Sequence, residues 1–371
     1  MDGSLRKPFG PGRTLKKTPL YDLHAELGAK FGPFAGFDMP LSYPAGIMAE
    51  HRHTREQAGL FDISHMVHVE LTGLQAADLV ERLCPYPASG QEVGSARYTF
   101  FLNAEGGIID DLIVTRLGEN RFRIVCNAGC AEKDIGHIRE QAKGFDCTVN
   151  VLDCAFIALQ GPHAEAVLND AGMDVATLSF MQAAEPRSGW FVSRTGYTGE
   201  DGFELATPAD EIKAFARRLL ADEHVLPIGL GARDSLRLEA GLSLYGQDLE
   251  EDITPMEAGL AWAIPKTHRD GGPFIGARAI AERFAEGRKR RRIGLRPQGN
   301  MPVRAHAPVM DGSGKQVGEV TSGGFGPTVG HPVALALIAV DAEAPLSAEV
   351  RGKTIPMEEA KLPFVPHRYR R

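Results

Sequence analysis

No apolar run in this chain approaches the roughly 20 residues that a membrane-crossing helix needs, and residues 1–19 hold no hydrophobic segment of a secretory signal. The same opening carries Asp2 and little serine, which argues against a mitochondrial transit peptide. A cytoplasmic protein is expected, with a processed matrix protein as the other option. Basic residues are not in excess. The net charge of −7 is not the electrostatic footprint of a nucleic-acid binder. A short basic run, Arg288–Arg292, reads as a domain junction. Cysteine is scarce, and the count of five (Cys84, Cys126, Cys130, Cys147, Cys154) is odd, so reduced thiols are expected. Cys126 and Cys130 have no second close pair or histidine cluster to join them, so structural zinc is not expected, and no metal is. Three catalytic cassettes are also missing: the dinucleotide fingerprint, the P-loop and the G-x-S-x-G elbow. Asp62, Ser64 and His65 lie along one extended segment and cannot converge as a triad.

What is there is a three-stranded meander. The pattern predicts strands over Tyr98–Asn103, Ile108–Leu117 and Arg121–Asn127, joined by turns at Ala104–Gly107 and Gly118–Asn120. Strict alternation puts Asp110 on one face with Ile108, Leu112 and Val114. It puts Asp111 on the other with Ile109, Ile113 and Thr115. A carboxylate among large apolar side chains must be paired, shifted in pKa, or at an accessible edge. Two readings follow: a polar strand entrance beside the glycine turn, or a pocket in which Asp110 faces a ligand nitrogen. Cys126, with Phe122 and Ile124, reads as a small core residue.

At 371 residues the chain is long enough for two or three domains. Residues 1–19 read as an arm. Phe31–Pro44, rich in Gly and Pro, reads as an irregular wall. The helix Ile47–Ala58 carries His51, Arg52, His53 and Arg55, taken as a solvated face because His51 and His53 point to different sides. Further helices are expected over Leu74–Leu83, Ala131–Gln141, Ala164–Asn169, Ala232–Ala240 and Gly276–Phe284. Strands are expected at Thr148–Leu152, Ala155–Leu159 and Trp190–Arg194. The loop Thr195–Gly202 holds three glycines, which suit close backbone approach to a ligand or a tight bend, and it delivers Glu204 at the next strand's entrance. Arg233 and Arg237 share a helix face, where Asp234 and Glu239 suggest an ion-pair network. From residue 288 to about Phe364, short strands with Gly-rich turns predict a small β-barrel.

Eight stretches, taken in order, resemble the aminomethyltransferase, or T-protein, family of the glycine cleavage system. They are Leu60–Met66, Asn103–Val114, Asn127–Cys130, Leu159–Pro162, Arg194–Glu204, Gly229–Gly246, Pro255–Trp262 and Thr321–Pro327, and the resemblance runs from Thr18 to Tyr369. It implies an α+β fold: two intertwined α+β subdomains over residues 18–287, then a C-terminal β-barrel over 288–371. It also implies tetrahydrofolate as one-carbon acceptor. The transient partner implied is a lipoylated H-protein carrier, with the glycine decarboxylase and dihydrolipoyl dehydrogenase components as indirect partners. By residue, the resemblance implies Asp110 as the functional aspartate, Glu204 as the pterin-binding carboxylate and Arg233 beside the folate. Tyr98, Asn127, Tyr197 and Met66 follow as pocket residues, and Arg292 and Tyr369 as late-chain residues near the site. The alternatives are a folate-dependent demethylase of a small methylated amine or sulfur compound, and a folate-binding iron–sulfur assembly factor. The latter's cysteine-bearing segment has no counterpart here, because Leu236–Gly246 contains no Cys.

Overall fold

The structure, a computed structural model, describes residues 14–371. Residues 1–13 of the expected arm lie outside the described residues. The rest of the arm is tied down, with Lys16 bridging to Phe37 beside a hairpin. That hairpin, Lys30–Phe34 with Phe37–Ser42, occupies the stretch expected to be irregular. Its two prolines do not prevent pairing, because the sheet has only two strands and, apart from the single Lys16 bridge at Phe37, each strand is paired along one edge only.

The meander belongs to a five-stranded antiparallel sheet, in the order Ala96–Leu102, Ile108–Gly118, Arg121–Cys126, Val67–Thr72, Thr148–Leu152. Helices Ala76–Leu83 and Ala131–Gln141 cover one face. They bury Leu79, Leu83 and Ile138 against Leu112, Val114 and Phe122. Ala131–Gln141 starts where expected, with Glu132 and Asp134 in the first turn, where the helix dipole favours acids. A second, six-stranded sheet runs Ala183–Ala184, Phe191–Ser193, Gly202–Thr207, Ala155–Gln160, Ala58–Asp62, Val225–Ile228; its last pair is parallel. Its core includes Trp190, Phe203 and Phe215, and each such side chain, fully buried, contributes roughly 1.5–3 kcal/mol.

Connectivity between the sheets is what intertwines the subdomains. Ala58–Asp62 lies in the six-stranded sheet, and Val67–Thr72 enters the five-stranded one. The chain stays there until Thr148–Leu152, then returns with Ala155–Gln160 beside Ala58–Asp62. Helix Ala277–Glu286 precedes a closed six-stranded barrel that begins at Arg290–Pro297 and ends at Lys353–Ala360. The last residues leave the barrel again. Arg368 and Arg370 pair through their backbones with Gly199 and Phe180 of the second subdomain, so the tail straps the parts together.

The solvated reading of the Ile47–Glu56 helix is corrected. His51 is fully buried, its ring bonded to Ser235, Glu239 and, at 2.8 Å, to Thr328 of the barrel region. Arg55 is buried too, paired with Glu200 and Glu239. Polarity marks a seam between parts here, because one face packs on Leu230–Glu239 and meets the turn after Gln316–Gly326. In the basic run, Arg290 reaches out of the barrel to Asp252 and Glu257, whereas Arg291 pairs with Glu359 inside it.

Candidate functional site

The uncovered face of the five-stranded sheet meets the second subdomain, helix Leu230–Glu239 and the C-terminal tail around a cavity of about 1360 Å³. Tyr98, Asp111, Ile113 and Asn127 line it from the sheet, and Glu204, Tyr197 and Arg233 from the opposite wall. Met66, Arg292 and Tyr369 complete the set, so every expected pocket residue except Asp110 lines this one cavity.

Asp110 points the other way, into the helix-covered core. It is fully buried, its Oδ2 accepting the Asn127 backbone N–H at 3.0 Å and its Oδ1 the Asn127 side-chain amide at 2.9 Å. The expectation that its face opens on the ligand is corrected, and the reason is local. A bulge pairs Phe101 with Asp110 but Leu102 with Ile108, so Ile109 is the extra residue and the alternation slips there. Ile108 therefore joins Phe100 and Leu102 on one side, while Ile109 packs with Leu112 and Val114 on Asp110's side. Once alternation is counted from the bulge, Asp111 is the residue whose face is left free of the helices.

Asp111 accepts from the Tyr98 hydroxyl at 2.9 Å and from the Asn127 amide at 3.1 Å. Burial first, and the charge of Asp110 second, push its carboxyl up to about 7. Burial and the adjacent Asp111 charge hold the Tyr98 hydroxyl protonated well above its ordinary range, so it stays a donor. The Tyr98 ring stacks on Trp262, with centroids 5.7 Å apart, and Trp262 is 64% exposed at the rim. Residues 245–284 are seated here by a close approach at the meander turn. A Cβ on Gly107 would come within 1.8 Å of the Glu251 carbonyl oxygen, and Asn103 donates to that same oxygen at 2.8 Å.

On the far wall, Glu204 is placed by register opposite Ser193 and Ala158. Ser193 and Thr195 share a hydrogen bond at 2.7 Å, and Thr195 donates to Glu204 at 2.6 Å. No other protein donor reaches this carboxylate among the described residues, and burial raises its pKa. The glycine loop serves a tight bend. Gln160 reaches under it to Thr195 and Thr198, and a Cβ on Gly196 would sit 1.8 Å from the Gln160 Oε1. Arg233 lies over the Tyr197 ring at 4.7 Å, and its Nη1 is buried with no partner. Arg237, by contrast, is consumed structurally by Asp234 and Asp248. The Tyr197 hydroxyl donates to the Ser243 carbonyl. Arg292 donates to the Gly241 carbonyl at 2.6 Å and leaves its buried Nε unpartnered. Tyr369 stacks on Phe180 at 4.1 Å.

The residues present fit a reduced pterin. An acceptor with a single protein donor and an unpartnered guanidinium nitrogen stand on the same wall of a cavity that aromatic side chains help to line, and a flat 2-amino-4-oxo ring has donors for one and an acceptor for the other. Sequence reasoning missed Thr195 and Trp262. Trp262 carried a signal, being one of only two tryptophans in the chain. His65 was dismissed as part of a triad, and it lines the cavity as a buried neutral ring, its pKa lowered to about 4 by burial and then by Arg233.

The GCVT N-terminal domain family matches residues 20–268, and the glycine cleavage T-protein C-terminal barrel domain matches residues 290–366. The chain is 40% identical over 381 residues to an aminomethyltransferase, mitochondrial, of Flaveria pringlei, covering 98% of this chain and 93% of that protein. With the protein of the same name from Dictyostelium discoideum it shares 39% identity over 392 residues, 99% of this chain and 97% of the other. A crystal structure of the glycine cleavage system aminomethyltransferase T from Bartonella henselae superposes with a TM-score of 0.95 at 48% identity, covering 96% of this chain and 100% of that one. With both domains matched in order and relatives aligned over nearly their whole length, the chain belongs to the glycine cleavage T-protein family.

Proposed function

We propose that the protein is an aminomethyltransferase that takes its donor from the lipoyl arm of an H-protein carrier. The C–S bond of the S-aminomethyl group and its C–N bond both break. Ammonia and the free dihydrolipoyl thiol leave with the two protons given up by the acceptor's nitrogens, and the carbon passes to tetrahydrofolate as 5,10-methylenetetrahydrofolate. Tetrahydrofolate, when bound, supplies N5 as nucleophile and N10 as the second attachment point. Glu204 and Arg233 hold the pterin edge, Tyr197 and Met66 pack on the ring, and Arg292 and Tyr369 border the remainder of the site.

The observation that carries this reading is Asp111, held between Tyr98 and Asn127 inside the cavity and poised at about 7. An ionised carboxylate there orients the cationic aminomethyl group and offsets positive charge as ammonia departs. Its raised pKa also lets it hold a proton near neutrality. Asp110 takes a supporting place beneath it. Removing a major electrostatic or proton-transfer contribution is expected to cost roughly 10²–10³-fold in turnover, so Asp111→Asn should fall by that factor with a loaded carrier while folate still binds. Near-normal turnover of Asp111→Asn beside an inactive, folded Asp110→Asn would overturn the assignment.

The carrier docks transiently over the entrance of the cavity, with the decarboxylase and dihydrolipoyl dehydrogenase acting on the same carrier. The names of the relatives favour aminomethyl transfer over demethylation or iron–sulfur assembly. The compartment is the one that holds the lipoylated carrier, either the cytoplasm or, as those names have it, the mitochondrion. Among the described residues no helix is long and apolar enough to cross a membrane. Residues 18–287 form the ligand-binding unit, and residues 288–371 supply the barrel and the closing strap.

A further inference from the structure

Below the cavity floor lies a polar cluster that the transfer as described does not use. One side-chain polar atom from each of Asp110, Asp134 and Cys130 lies within 4.8 Å of the other two, and Asp110 and Asp134 are fully buried. The two carboxyls are unequal. Asp110 accepts two N–H bonds from Asn127, whereas among the described residues neither oxygen of Asp134 accepts from an N–H or an O–H, and only the weak S–H donor of Cys126 lies beside it. The nearby cation, Lys133, is engaged elsewhere by the Ile109 carbonyl, Tyr245 and Glu251. Two adjacent buried anions with no cation between them would be prohibitively costly, so one carboxyl must hold a proton. The proton falls to Asp134, the carboxyl that no N–H reaches.

We propose that Asp134 is a positioning residue for the transfer: a neutral carboxylic acid whose O–H donates to Asp110, which holds the Asn127 amide, which in turn holds Asp111. The last links are direct, since the Asn127 Nδ2 lies 2.9 Å from Asp110 Oδ1 and 3.1 Å from Asp111 Oδ1. The chain of bonds runs from helix Ala131–Gln141 through the sheet to the cavity, coupling a core side chain to the reacting end. Three groups besides Asp110 face Asp134: Cys126 from the neighbouring strand, and Cys130 and Lys133 from the helix and its start. Burial, and next the charge of Asp110, push the Asp134 carboxyl up to about 10, so it stays neutral across the working range.

The inference rests on the Asp111 reading, and its first test does not. Infrared spectra of the full-length protein near neutral pH should show a protonated carboxylic C=O band that disappears in Asp134→Asn. If that band is absent from the wild type, the proposal is overturned, whatever the activity. The second test separates positioning from structure. Asp134→Leu, which has no donor, is expected to lower kcat roughly ten- to a hundredfold, the scale on which outer hydrogen-bond partners act on the groups they orient. Folate affinity should hold, and the acid limb of the kcat profile should move. Asp134→Asn, whose N–H replaces the O–H, is expected to recover most of the loss and return the limb. Equal losses in both folded variants would refute the proposal. So would a fall in stability on adding a chelator, which would put a cation where the proton is proposed.

Discussion

Replacing Asp111 by Asn removes the charge of a carboxyl pushed up to about 7 by burial and by Asp110. The effect on stability has a definite sign. A carboxyl that titrates near 3.8 in the unfolded chain and near 7 when folded binds an excess proton in the folded state between those values. Its contribution to stability is complete below the unfolded value and is lost as pH rises through the folded one. Each pH unit at full excess is worth about 1.4 kcal/mol. Between about pH 5 and about pH 8 the wild type should therefore lose on the order of 2 kcal/mol relative to the variant, once water in the cavity and coupling to Asp110 are allowed for. Urea denaturation of both full-length proteins across that range measures the difference directly. Any constant cost of the substitution, such as a strained contact between its amide and Asn127, drops out of the comparison. The variant should gain on the wild type as pH rises, even as its turnover collapses. Parallel stability curves would mean that Asp111 titrates normally, and the argument for a poised carboxylate would fail.

Two other substitutions test the opposite wall and the seating of the rim. Glu204→Gln should weaken tetrahydrofolate binding by about 1–3 kcal/mol, since one pterin donor loses its anionic partner; titration calorimetry reads this, and unchanged affinity would remove Glu204 from the pterin site. Gly107→Ala would drive a methyl onto the Glu251 carbonyl oxygen, 1.8 Å away, and should cost about 1–3 kcal/mol of overpacking with a lowered Tm; an unshifted melting curve would show that the 245–284 segment is not seated through this turn.

Local pattern determined much of this protein before any tertiary contact was considered. The period-2 runs gave the meander and the strand Thr148–Leu152, and the 3.6-residue period gave the helix Ala131–Gln141 as it stands. Gly-rich turns between short strands announced the barrel, whose first strand starts at Arg290. These are properties of neighbouring residues, and neighbouring residues carry their own signal. The family's motif residues were also legible. Glu204, Arg233, Tyr98, Asn127 and Tyr197, far apart in the chain, all reached one cavity.

What depended on distant partners was not legible. Alternation assigned Asp110 and Asp111 to opposite faces correctly, but which face meets the ligand was decided by the helices that cover Leu112 and Val114. The bulge at Ile109 then broke the count from Ile108, and a bulge is a relation between two strands that neither strand announces alone. His51 and Arg55 have the composition of a solvated face. They are buried because Glu239 and Thr328, some 190 and 270 residues further on, supply the hydrogen bonds that make burial tolerable. The same holds for Asp134, a first-turn acid by sequence. Only the fold sets it against Asp110, and there a shared proton is the physical answer to two carboxyls brought together in the dark of a core.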